Sequence, residues 1–64
     1  MKNSKQHLTD AFAQLQEAQI NLKHALDSAE KLNNKQNIGN TLSLVEEAVS
    51  AAASSVAYYQ DTNE

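Results

Sequence analysis

The stretch Leu42–Tyr59, LSLVEEAVSAAASSVAYY, decides how the whole chain is read. Its apolar residues Leu42, Val45, Val49, Ala52, Val56 and Tyr59 step by three, four, three, four and three. That alternation is the seam of a helix that packs along one line against a neighbour. A second stripe, Leu44, Ala48, Ala51, Ser55 and Tyr58, steps by four, three, four and three on an adjoining face. One partner helix covers the first stripe and cannot easily cover both. The pattern therefore asks for a helix with several neighbours, in a chain that offers only one other.

That other helix lies upstream. Leu8, Leu15, Leu22 and Ala29 recur every seven residues, the d row of a heptad. Phe12, Gln19, Leu26 and Asn33 fill the a row, and Ala11, Ala18, Ala25 and Leu32 the adjoining g row. Three parallel rows make a strong helical signal over about residues 4–33. Asp10, Gln14, Glu17, Asn21, His24 and Lys31 form the opposite, solvated face. Met1 to Asn3 are expected to fray. Asn3 or Ser4 is the expected cap, with Gln6 placed to complete a capping box. Asp27 and Lys31 have the i,i+4 spacing of a helical ion pair.

Between the two patterns runs NNKQNIGN, residues 33–40, with four asparagines and the only glycine, Gly39. Asparagine and glycine favour left-handed backbone and side-chain caps, so the loop is predicted at 34–40. The second helix is then expected over about 41–60, starting at Asn40 or Thr41. Ser43 with Glu46 is the alternative capping box. Asp61–Glu64 reads as a polar tail. An antiparallel hairpin with this loop places Leu22 near Ala52, and Phe12 and Leu15 level with Tyr58 and Tyr59. The longer first helix overhangs, leaving Leu8 uncovered.

The expectation is a single all-α domain over residues 1–64, an antiparallel two-helix hairpin that dimerises into a four-helix bundle. A 64-residue chain buries only about 60% of the surface its unfolded state exposes. Short chains often supplement a small core with a disulfide, a metal or a partner. Without cysteine the disulfide is closed to this one. The expected interface residues are Leu8, Ile20, Leu44, Ala48, Val49, Ala51, Ala52, Val56, Tyr58 and Tyr59. Gln19 is the polar exception in the a row. It either fixes the alignment of the helices or points to water at the seam's edge.

Composition narrows the function. The net charge is −3, the five cations are all lysine, and they are scattered. Arginine, the preferred reader of phosphate and guanine edges, is missing, so no nucleic-acid partner is expected. No apolar run approaches the ~20 residues that span a bilayer, and MKNSKQHL has no apolar signal-peptide core. The expected location is the cytoplasm, with no membrane partner.

His7–Asp10 and His24–Asp27 each set a histidine and a carboxylate one helical turn apart. Each pair supplies two ligands where zinc takes three or four, and the pairs lie roughly 25 Å apart along a helix. Glu46 and Glu47 read as ordinary acids near a helix N-terminus. No Glu-x-x-His on a buried face, phosphate loop, Ser-His-Asp set or thiol is present. No catalytic residue, metal site or cofactor is therefore expected. The pattern is similar in style to short bacterial and phage helical hairpins. Short helical-hairpin phosphatases carry a Ser-x-x-x-Asp motif that is missing here, so their activity is not carried over. What remains is a small, non-enzymatic interaction protein, self-associating as a structural or adaptor module. The alternative is a regulator that binds a larger protein through the apolar face of its second helix.

Overall fold

In a computed structural model, which describes residues 2–60, the chain is all-helical. Helix α1 spans Ser4–Ser28 and helix α2 spans Leu32–Ala57, and the two pack against each other as a hairpin. The molecule is a flat rod of about 50 × 20 × 12 Å, one layer of two helices. The expected polar tail lies outside the described residues.

The start of α1 follows from its first residues. Asn3 is not frayed. Its side chain accepts from the Gln6 amide at 2.9 Å, and the Gln6 side chain accepts from the Asn3 amide at 2.9 Å. This reciprocal box satisfies two of the donors that a helix N-terminus leaves unpaired. Met1 lies outside the described residues.

The connection is not where asparagine and glycine suggest. It consists of Ala29, Glu30 and Lys31, and residues 34–40 lie inside α2. Ala29 (φ −73°, ψ 135°) and Lys31 (φ −87°, ψ 137°) are both extended with negative φ. Any L-residue adopts that backbone, so this turn needs no glycine. Three expectations fail with the predicted loop. Neither Asn40 nor Thr41 caps α2, whose N-cap is Lys31 without a side-chain bond. Thr41 instead donates its hydroxyl back to the Asn37 carbonyl at 3.0 Å within the helix. Ser43 and Glu46 are also interior, so they form no capping box. Lys31 lies beyond the end of α1, so Asp27 and Lys31 are not one turn apart on a common helix. At the far end α2 stops at Ala57, short of Gln60, with Tyr58 as its C-cap.

Packing explains the choice. Starting α2 early brings Ile38 into the seam, four residues before Leu42 and seven before Val45. Ile38, Val45, Ala52 and Tyr59 (d row) and Val49 and Val56 (a row) are half-buried, and Leu42 (a row) is buried. On α1 the matching residues Leu8, Phe12, Leu15, Leu22 and Leu26 are half-buried. With 25 and 26 residues the helices are nearly equal, so α1 does not overhang and Leu8 is not left bare. Holding asparagines in helix costs about 0.6 kcal/mol each and a glycine about 1 kcal/mol, relative to alanine. Against that cost stand the covering of Leu8 and the extension of the seam to Ile38, each half-buried side chain returning part of the about 1.5–3 kcal/mol that full burial is worth.

The register moves with the turn. Gln19 on α1 reaches Glu46 on α2, with Nε2 donating to Oε2 at 3.2 Å. With the turn at residues 29–31, Leu22 no longer lies level with Ala52. The rows repeat every seven residues, so sliding the helices changes which residues are level and not which rows face.

Two outcomes check this arrangement. A Cβ on Gly39 would meet nothing within 4 Å, so Gly39→Ala should raise the unfolding free energy by about 1 kcal/mol in urea titration. A loss of stability would return the loop to 34–40. Ala52→Glu puts a charge in the seam and should cost at least about 2 kcal/mol, read as a sharply lower thermal midpoint; an unchanged melt would mean the seam is misassigned.

Candidate interaction surface

Two helices touching along one line enclose very little. Leu42 is the one buried apolar residue among those described, at 9% exposure. Several large apolar side chains face water instead: Ile20 at 54%, Leu44 at 66%, Leu32 at 68% and Tyr58 at 81%. The interface residues expected from sequence therefore fall into two groups. Leu8, Val49, Ala52, Val56 and Tyr59 are half-buried along the seam within the chain. Leu44, Ala51, Tyr58 and Ile20 are exposed, and Ala48 is half-buried at the seam's flank.

Heptad geometry assigns the exposed group to sides. In an antiparallel pair the g rows border the seam on one broad face and the e rows on the other. The first face carries Ala11, Ala18 and Ala25 from α1, and Thr41, Ala48 and Ser55 from α2. Beside them in the c rows lie Gln14 and Asn21, and Leu44, Ala51 and Tyr58. Throughout both helices the g and c positions hold no aspartate, glutamate or lysine. The second face carries Ile20, Leu32 and Ala13 but also Lys23, Asp27 and Glu46. The second stripe read from sequence thus lies wholly on the charge-free face, with the alanine row of α1 beside it. Ile20 belongs to the opposite face.

Polar groups behave as local structure. Gln19 is half-buried, and its amide donates to Glu46 across the seam. Glu46 is its acceptor. Glu46 and Glu47 lie mid-helix and not in the first turn of α2, which removes the helix-dipole role expected for them. The Asp10 carboxylate pairs with Lys2 Nζ, at the edge of an open groove lined by Lys2, Lys5, Gln6, Thr9 and Asp10. His7 and His24 are exposed, and the His24 carbonyl accepts from the Ser28 hydroxyl at 2.9 Å. Among the described residues no three of His, Cys, Asp or Glu cluster to hold a metal ion, and no helix is long and apolar enough to cross a membrane.

No family model matches the chain, and neither a curated protein nor a solved structure shows significant similarity to it.

Gln19 offers a direct test of the seam. It occupies an a position between Phe12 and Leu26, where an aliphatic side chain would bury more apolar surface. Gln19→Leu should therefore stabilise the fold by about 1 kcal/mol in denaturant titration. Destabilisation would show that its bond to Glu46 outweighs packing.

Proposed function

We propose that this chain is a small, non-enzymatic helical interaction protein that works by self-association, two antiparallel hairpins joining as a four-helix bundle. The observation that carries this reading is the imbalance between interior and surface. The described residues bury a single apolar side chain, while Leu44 and Tyr58 stand in water on a helix whose first stripe is already occupied. Native stability is a small difference between large terms, and a core of this size leaves little margin against the chain entropy lost on folding. A second hairpin would supply the missing interior. A structural or adaptor role in the cytoplasm fits such a bundle. The lack of arginine and the net charge of −3 favour a protein partner over a nucleic acid.

A second reading has one observation in its favour. Tyr58, at 81% exposure, sits at the end of the apolar stripe, where an aromatic ring with a wet hydroxyl serves well as a binding anchor. In that reading α2 presents Leu44, Ala51 and Tyr58 to a larger protein that the chain regulates. Sedimentation equilibrium of the full chain separates the two. The self-association reading expects the mass of two chains at micromolar concentration. A single-chain mass at every concentration, with helicity retained, would leave the regulator.

A further inference from the structure

We propose that residues 32–40 form a labile strap. They unwind as one unit while the rest of the hairpin stays folded, and α2 restarts at Thr41 with Asn40 as its cap. The hairpin then has a tight form, with its turn at residues 29–31, and a loose form, with residues 29–39 as its loop.

The first ground is how little holds the segment down. Leu32 to Asn37 are all exposed, Leu32 at 68%. Ile38 is the segment's one half-buried side chain, beside the half-buried Gly39. From Leu42 onward the seam residues Leu42, Val45, Val49, Ala52 and Val56 are buried or half-buried in an unbroken row. Local opening is easiest where few apolar groups are buried, so the boundary between weak and strong helix falls between Asn40 and Leu42.

The second is the backbone itself. Asn33, Asn34, Asn37, Gly39 and Asn40 are poor helix formers. Asparagine bonds to nearby backbone in non-helical conformations, and glycine loses the most chain freedom on folding. The start of α2 supplies no local compensation. Lys31 caps it without a side-chain bond, and no acid lies in its first turn. Lys31 and Lys35 set positive charge against the positive end of the helix dipole.

The third is a spare start. Asparagine is a favoured N-cap, and Asn40 stands directly before the seam row. In the tight form the Thr41 hydroxyl donates to the Asn37 carbonyl at 3.0 Å. Such a bond back along a helix slightly destabilises it, so its loss on opening costs little. Unwinding residues 32–40 leaves a capped helix from Thr41 to Ala57, with the seam from Leu42 onward intact.

Hydrogen exchange of the unaltered full chain tests the unit. The amides of Gln36 to Thr41 should exchange at least about tenfold faster than those of Val45 to Val56, with one common opening constant and one common, small urea dependence. Protection that rises residue by residue from Gln36 would be ordinary end fraying. Exchange of both groups through a single global step would make α2 one unit. Either result overturns the proposal. A proline tests the spare start, because proline suits the first position of a helix and breaks an interior. Thr41→Pro should lose the helical circular dichroism of residues 32–40, about a sixth of the total, and keep a cooperative melt. Ala48→Pro, with Glu47 before it in place of a capping residue, should abolish the melt. Equal behaviour of the two variants would show that α2 has no second start at Thr41.

Discussion

Two helices share only a line of contact, and this protein is shaped by that shortage of interior. Each helix contributes one seam, and each seam residue still has a side open to water. Leu8, Phe12, Leu15 and Leu22 on α1, and Val45, Val49 and Val56 on α2, are therefore half-buried, and among the described residues only Leu42 is enclosed. Every other feature can be read as a way of lengthening that line or of supplementing it.

The position of the turn is the clearest case. With the connection at Ala29–Lys31 the helices are 25 and 26 residues long, and they run side by side over nearly their whole length. A turn at 34–40 would have used residues that favour turns locally. It would also have made the helices unequal and left Ile38 out of the seam. Packing along the full line outweighs the local preference, and Asn33, Asn34, Asn37, Gly39 and Asn40 become helix. The result is a helix whose N-terminal third is intrinsically weak, without a side-chain cap, and held by the seam residues Ile38 and Leu42. The contrast with α1 is direct, because the capping box of Asn3 and Gln6 secures that start locally.

The same shortage bears on function. A flat pair of helices offers two broad sides, and these differ. One mixes Ile20 and Leu32 with Lys23, Asp27 and Glu46; the other holds no acid or lysine and sets alanine, leucine and tyrosine among Gln14, Asn21, Thr41 and Ser55. The proposed interaction role draws on that difference.

The helical character, the antiparallel pairing and the identity of the facing rows were all legible in the order of residues. So were the first stripe of α2, the rows of α1 and the surplus second stripe. These depend on periodicity, which is a property of the chain's own spacing. The place of the turn, the register and the role of Gln19 were not legible. Ala29 and Lys31 turn in ordinary extended conformations that leave no mark in composition, whereas the asparagines and Gly39 carry the usual marks of a loop and form none. A heptad pattern is unchanged by a slide along the helix axis, so spacing alone permits several registers. Only the packed pair selects among them, because the selection rests on how much of two seams can be covered at once, and that is a property of the two helices together.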